Sequence, residues 1–258
     1  MQYSKDQTKS LWKEYRQVIR DLQFLQMKCI SVAHAEQNPR VQEFLRHGSG
    51  RRISVLWRSL KNIFDIFLPD IEKPLGIEAV GNAQINLHAF VINLSGTLDN
   101  LAWIYVIKHD LEATIGGRQS IGLFSPKTMR HLPEPIQNYL NSPTMTSWAK
   151  QYLKEYRDAL AHRIPLYIPP AAYTSDETAH YQRLEEAKNE CMTNHEWEKI
   201  DAIDEEQSMI GRPCVVFLHS NSDDEELRPV YLHPQILCDA MTIVEFGGLF
   251  FENLVGNA

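Results

Sequence analysis

The stretch AQINLHAFVINLSGTLDNLAWIYVIKHD, residues 83–110, decides the fold class of this chain. Its strongest apolar positions recur every three or four residues, which is the spacing of one face of an α-helix. These positions are Leu87, Val91, Leu94, Leu98, Leu101 and Tyr105. Many of the remaining positions are apolar as well, so other elements have to cover the helix on most sides. We therefore expect a central helix within an α-helical bundle.

The same spacing recurs on both sides of this stretch. It predicts helices over residues 10–35, 53–67 and 144–162, and a last helix that starts at Pro234 and runs almost to the end of the chain. Together with residues 83–110 this gives about five long helices. We expect an all-α fold in which these helices form a bundle.

Residues that interrupt helices fall between these segments. Asn38-Pro39 ends the first helix, and HGSGRR, residues 47–52, is expected to be a flexible connector because glycine and serine disfavour regular structure. Residues 70–82, DIEKPLGIEAVGN, are expected to form a loop. The region from Gly116 to residue 143 is expected to consist of loops around a short helix at residues 135–140.

The segment between the last two long helices has a different pattern. PLYIPP, residues 165–170, is expected to be extended because proline ends a helix and restricts the residue before it. Residues 177–200 have the composition of a polar surface helix. CVVFLHS (214–220) and ELRPVYLH (226–233) predict a β-hairpin around the acidic turn NSDDE. We expect one domain over residues 1–258, with residues 163–233 as an insertion that contains the surface helix and the hairpin.

Composition restricts the classes of function. The chain has 258 residues and a formal net charge of -7, so its surface as a whole is not built to attract phosphates, although a local basic stripe is compatible with that charge. The four cysteines lack the spacing of a zinc site or a disulfide framework. The motifs HExxH, GxGxxG and the Walker phosphate loop are absent, so we expect no metal and no cofactor.

The sequence offers no sign of a membrane or an export route. Its first residues lack the apolar run of a signal peptide, and residues 85–107, the most apolar window, are interrupted by polar side chains. We expect a cytoplasmic protein without a membrane partner.

Candidate functional residues lie in YRDALAHRIPLYIPP, residues 156–170. At 100° per residue, one face of the helix over residues 144–162 is apolar and the opposite face is polar. The apolar face is predicted to contain Met145, Trp148, Ala149, Tyr152, Tyr156 and Leu160; the polar face contains Lys150, Lys154, Arg157, Asp158 and His162. Two interpretations of this polar face remain open. In the first it belongs to an ordinary surface helix, on which cations near the C-terminus interact favourably with the helix dipole. In the second it is a functional site.

The spacing of Arg157 and His162 is compatible with the second interpretation, a site for a phosphodiester. The two residues are about 140° apart around the helix and roughly 7.5 Å apart along its axis. They could therefore grip neighbouring atoms of one phosphodiester without touching each other.

The string from Arg157 to His162, RDALAH, together with the following IPLYIPP, resembles the R-x4-H motif of the HEPN superfamily in bacterial members. The preceding LDN at residues 98–100 and LHPQIL at residues 232–237 are similar to that layout as well. The resemblance covers roughly residues 83–170 and 230–256. It implies metal-independent RNA cleavage by attack of a ribose 2′-hydroxyl, in a homodimer whose two motifs face a shared cleft.

The resemblance also implies roles for single residues. His162 would move the proton, since its ordinary pKa lies near neutral pH. Arg157 would hold the non-bridging phosphate oxygens, and Asp158 would orient one of these two side chains. Lys150 and Lys154 would bind RNA.

One further acidic residue is a candidate for the same site. His88, Ser95 and Asp99 fall close to one line along the central helix, because 7 and 11 residues nearly complete whole turns. Asp99 is expected to pair with Arg157 or to orient His162. The alternative is an ordinary buried hydrogen-bond network.

Two hypotheses about function follow from these observations. The first is a metal-independent endoribonuclease of the HEPN type. The second is a catalytically silent helical module that binds RNA, a nucleotide or a protein partner, or that dimerises; the acidic overall charge favours this second hypothesis.

Overall fold

The computed structural model describes residues 2–219 and 228–255. These residues are mainly α-helical and include one small two-stranded sheet, which confirms the all-α class. The helices are α1 (Lys5–Ala35), α2 (Pro39–Glu43), α3 (Gly50–Ile66), α4 (Ile77–Lys108), α5 (Glu112–Ile115), α6 (Pro126–Met129), α7 (Glu134–Leu140), α8 (Pro143–Trp148), α9 (Glu155–His162), α10 (Ser175–Thr193), α11 (Trp197–Ser208) and α12 (Leu232–Val255). The strands are β1 (Val216–His219) and β2 (Arg228–Tyr231).

Helix α4 is the centre of the bundle, as its apolar pattern predicts. It packs against α3, α12 and α9, and its buried residues extend from Val80 to Ile107. It begins at Ile77, so the loop expected over residues 70–82 is wrong for its second half. Val80 and Ala83 continue the buried stripe towards the N-terminus. Because these side chains pack in the core, the helix continues past Gly81, where the sequence suggests a break.

The segment HGSGRR is helical, contrary to the expected flexible connector. A first π-helical segment, Phe44–Ser49, passes directly into α3. Gly48 allows this segment to lie against α4, because a Cβ there would come within 2.8 Å of the side-chain amide nitrogen of Asn100. Glycine therefore serves close packing at this position.

The insertion contains more helix than the sequence pattern predicts. The single surface helix expected over residues 177–200 is two helices, α10 and α11, that pack against each other. The break falls at residues 194–196, where His195 has a positive φ of 58° that an α-helix does not tolerate. The two helices thus form a helical hairpin on the bundle.

The predicted β-hairpin is present, and the extended segment after α9 joins it. Val216 pairs with Tyr231 in an antiparallel register, while the turn NSDDE lies outside the described residues. Tyr167 and Leu218 exchange backbone hydrogen bonds of 3.2 and 2.7 Å. The chain that follows the candidate motif is therefore held in an extended conformation, as its prolines predict.

Two helices, Ile77–Lys108 and Leu232–Leu254, are long and apolar enough to cross a membrane. Within the bundle, 67% and 56% of their most apolar stretches are buried. Burial of this kind is what the core helices of a bundle require.

Candidate functional site

The candidate motif ends one continuous helix over residues 143–162, called the motif helix below. It consists of α8, a second π-helical segment (Ala149–Lys154) and α9. Ser142 caps its start by accepting a hydrogen bond from the Met145 backbone at 3.3 Å. Pro143 occupies the first turn, where a missing amide proton costs nothing.

The π segment changes which side chains face the core. A π turn holds more residues than an α turn, so a wheel drawn at 100° per residue loses register across it. Leu153 and Ala159 are buried, whereas Tyr152 and Leu160, which were predicted for the inner face, are only half-buried. π segments inside helices occur frequently at functional sites.

A cavity of about 460 Å³ opens between the motif helix, α4 and the loop before α6. Its polar lining includes three cations and one acid, Lys150, Lys154, Arg157 and Asp99. Its apolar lining includes Leu98, Leu123, Phe124, Met129, Leu140 and Leu153. The cavity therefore offers positive charge on the motif helix and a mostly apolar surface elsewhere, which suits an anionic ligand with an apolar part.

The loop opposite the motif helix is fixed by its own hydrogen bonds. The buried Thr128 hydroxyl donates to the Ser120 carbonyl at 3.1 Å and accepts from the Gly122 backbone at 3.2 Å. Gly122 and Ser125 line the cavity. Because these bonds hold the loop, the wall opposite the cations is formed before any ligand arrives.

Arg157 lies on the rim of this cavity with its side chain 44% exposed. Its Nε and Nη2 donate to Oδ1 of Asp158 at 3.0 and 2.6 Å. Asp158 itself does not line the cavity but a neighbouring hollow of about 490 Å³, which shares Lys150 and Lys154 with it. The structure thus joins the side chains of Arg157 and Asp158 at the edge of the cavity.

Asp99 lies close enough to Arg157 for the two charges to interact. Partial burial raises the pKa of the Asp99 carboxyl, while the charges of Arg157 and, more weakly, Arg52 lower it. The carboxyl nevertheless remains exposed to solvent, and among the described residues it forms no ion pair within 4.0 Å. The expected direct pair between Asp99 and Arg157 is therefore a through-space interaction in this structure.

Arg52 is a site neighbour that sequence reasoning missed. It belongs to the segment read as a connector, yet it lies on α3, and its Nη1 donates to Asn93 Oδ1 on α4 at 3.2 Å. The absence of a side chain at Gly96 makes room for it, since a Cβ there would overlap the Arg52 guanidinium. In the sequence, the pair Arg51-Arg52 next to the start of a predicted helix could have pointed to this residue.

His162 is exposed at the end of the motif helix and does not line the cavity. No hydrogen bond within the described residues engages its ring. Arg157 and His162 are therefore both exposed on the same helix, but only Arg157 lines the cavity. The prediction that both side chains line one cleft is not met within a single chain.

His88, Ser95 and Asp99, which helix spacing places on one line along α4, have separate roles in the structure. Ser95 and Asp99 line the cavity, but His88 donates from Nε2 to the Leu166 carbonyl at 2.8 Å. Gln84, one turn earlier, accepts a hydrogen bond from the Ile168 backbone at 3.2 Å. His88 therefore secures the extended segment after the motif and takes no part in the cavity.

The inner face of the motif helix is tied to α12 by a buried polar contact. Trp148 Nε1 donates to Asp239 Oδ1 at 2.8 Å, and Gln235 Nε2 donates to the same oxygen at 2.9 Å. Burial raises the pKa of Asp239 to about 7, although both hydrogen bonds lower it. This contact fixes the position of the second π segment, which carries Lys150 and Lys154.

Two other polar side chains are buried near this contact. The Tyr156 hydroxyl has no hydrogen-bond partner among the described residues, and burial raises its pKa. His219, on β1, lies edge-on to the Tyr156 ring, with 5.0 Å between ring centroids, and its Nε2 is 3.5 Å from Glu155. The insertion therefore contacts the motif helix through β1, on the side away from the cavity lining.

Within residues 2–219 and 228–255, no three histidine, cysteine, aspartate or glutamate side chains are grouped as metal ligands. Comparison of the chain with protein-family models, with curated proteins and with solved structures finds no match in any of the three.

Proposed function

We propose that the protein binds single-stranded RNA, with a phosphate held by the cations of the cavity. The observation that carries this proposal is the lining itself: Lys150, Lys154 and Arg157 converge on one wall, and Asp99 is the lone carboxylate among the described lining residues. Phosphate contacts from lysine and arginine supply most of the affinity for RNA. The resemblance of the motif to HEPN proteins supports RNA over other phosphorylated ligands.

The apolar wall supports a strand with exposed bases. Phe124 lines the cavity and is half-buried, so one part of its ring is accessible from within. Bases of single strands stack on aromatic side chains, with about 1–3 kcal/mol per base. A base of a duplex is already stacked and cannot enter a cavity of this size.

The test is fluorescence anisotropy with a labelled single-stranded oligoribonucleotide. Lys150→Ala, Lys154→Ala and Arg157→Ala should each weaken binding about tenfold, while Lys13→Ala and Arg16→Ala on α1, which remove the same charges elsewhere, should not. If all five variants bind equally, the cavity is not the RNA site. Binding of a labelled mononucleotide, without binding of the oligomer, would identify a nucleotide site and overturn the RNA proposal.

Cleavage of the bound RNA is a second candidate function. The observation that favours it is the accessible ring of His162, five residues after Arg157 on the same helix. Arg157 would stabilise charge on the non-bridging oxygens while His162 moves a proton of the ribose 2′-hydroxyl or of the leaving oxygen. Attack of the 2′-oxygen on phosphorus would break the bond to the 5′-oxygen and leave a 2′,3′-cyclic phosphate.

Cleavage is tested separately from binding. In EDTA, the wild-type protein should release fragments with 2′,3′-cyclic phosphate ends, and His162→Ala should abolish the release while RNA affinity and the circular dichroism spectrum stay unchanged. His34→Ala, at another exposed histidine near the end of α1, serves as the matched control. Equal cleavage by wild type and His162→Ala would end the nuclease hypothesis and leave RNA binding intact.

A further inference from the structure

The helix α1 carries an exposed apolar patch that the cavity and its ligand do not explain. Phe24 is 72% exposed and Met27 is 68% exposed, one helical turn apart on a helix whose other face is buried in the bundle. Single exposed apolar residues are common, but neighbouring large ones mark interaction surfaces.

A hollow of about 240 Å³ adjoins this patch, between α1 and α12. Phe24, Leu25, Val244 and Phe251 give it apolar walls. Gly248 also lines it, and a Cβ at that position would meet no atom within 4 Å, so the space beside this residue is open. A protruding apolar side chain of another molecule has room to enter it.

The charges at the two ends of the patch identify the occupant. Asp21 and Lys28 are the two charges that α1 contributes to the hollow, and they lie two helical turns apart on the side of α1 that carries Phe24. Glu252 of α12 is the third charged residue in the lining. Within the described residues neither Asp21 nor Lys28 forms an ion pair; Asp21 accepts hydrogen bonds from Gln17, at 2.8 and 2.9 Å. The midpoint between these two charges is at Phe24 and Leu25.

This arrangement is complementary to itself. When two copies of α1 pack antiparallel about a twofold axis through that midpoint, Asp21 of each copy faces Lys28 of the other. Symmetry makes both opposite-charge contacts at once, and the two Phe24 rings lie between them. We propose that this face of α1, with its hollow, is a docking surface for a second copy of the chain.

The proposed surface lies away from the RNA cavity. Around α12, at 100° per residue, Val244, Gly248 and Phe251 lie about 120–180° from Asp239, which contacts the motif helix. The hollow and the contact with the motif helix are therefore on different faces of α12. A dimer through α1 leaves the two cavities outside the interface, and it differs from the shared cleft implied by the HEPN resemblance.

Sedimentation velocity of the full chain over a range of micromolar concentrations tests the proposal. The wild-type chain should form dimers. Asp21→Lys and Lys28→Asp should each weaken self-association at least about tenfold, because each places like charges at both contacts. Phe24→Gln should weaken it as well, whereas Ile85→Gln, which replaces a similarly exposed apolar residue on α4, should not.

Mixing the two charge variants gives the sharpest result. In a heterodimer of Asp21→Lys with Lys28→Asp, both contacts join a lysine of one chain to an aspartate of the other, so the mixture should associate although each variant alone does not. A wild-type chain that is monomeric at all concentrations overturns the proposal. So do α1 variants that stay dimeric while Lys154→Glu, on the motif helix, dissociates.

Discussion

Arg157 donates two hydrogen bonds to a single oxygen of Asp158, the next residue of the motif helix. Both side chains are partly exposed, at 44% and 29%, so the pair contributes little to folding. Its effect is local, because it places a negative charge next to the cation that would meet a phosphate. This carboxylate should therefore weaken phosphate binding, whereas cleavage would need it if it orients Arg157 or His162.

Replacement of this carboxylate should separate binding from cleavage. Asp158→Asn should raise RNA affinity by about two- to fivefold, since an exposed pair of this kind is worth roughly 0.2–1 kcal/mol. If Asp158 also orients Arg157 or His162, the rate of cleavage should fall in the same variant. Anisotropy and single-turnover cleavage measure the two effects, and Asp201→Asn on α11 controls for net charge. Weaker RNA binding by Asp158→Asn would contradict the masking role.

Salt dependence should report how many cations meet the strand. For single-stranded nucleic acid the slope of log affinity against log salt changes by about 0.7 for each phosphate contact. Lys154→Ala should reduce the slope by about that amount, and Lys13→Ala should leave it unchanged. An unaltered slope in Lys154→Ala would show that this lysine does not contact a phosphate.

The room left by Gly96 should control the ionisation of Asp99. Gly96→Ala should displace the flexible end of Arg52, at little cost in stability because alanine also favours the helix by about 1 kcal/mol. Without the nearby guanidinium the pKa of Asp99 should rise further, because one of the two charges that lower it has moved away. NMR titration of the Asp99 carboxyl measures this.

A comparison of three variants checks which of the two arginines lowers the pKa of Asp99 more. Arg157→Gln should raise the Asp99 pKa more than Arg52→Gln does, since Arg157 exerts the larger influence. Gly96→Ala should resemble Arg52→Gln. A pKa that stays constant in all three variants would refute the electrostatic link between α3, α4 and the motif helix.

The buried Asp239 should make stability depend on pH. Its pKa is about 7 in the folded protein and has an ordinary value of 3.8. Between about pH 4 and about pH 7 the unfolded chain releases this proton while the folded chain keeps it, so the free energy of unfolding falls as pH rises through that window. Above about pH 7 the folded protein bears the full cost of ionising this buried carboxyl, on the order of 4 kcal/mol.

Asp239→Asn should remove that cost without breaking the contact to the motif helix. The asparagine oxygen still accepts from Trp148 and Gln235, so the variant should gain stability over wild type at about pH 8 and match it near pH 4. Urea unfolding at both pH values measures the difference. Trp148→Phe controls for loss of the hydrogen bond and should destabilise at both; an equal difference between Asp239→Asn and wild type at the two pH values would contradict the raised pKa.

The sequence by itself determined the elements that depend on local pattern. The spacing of Leu87, Val91 and Leu94 specified the central helix, because a stripe repeated every three to four residues can be buried only in a helix. Pro165 and Pro169 specified the extended segment after the motif. The basic side of the motif helix also followed from local spacing, and Lys150, Lys154 and Arg157 do converge on one cavity.

Only the tertiary structure decided which side chains meet. The π segment at Ala149–Lys154 shifts the register of the motif helix, and no periodicity calculated at a fixed angle contains that shift. Arg52 reaches α4 because Gly96 lacks a side chain, which is a relation between residues 44 positions apart. His162 lies outside the cavity for the same kind of reason: helix spacing sets its angle relative to Arg157, but the walls of the cavity come from α4 and a distant loop.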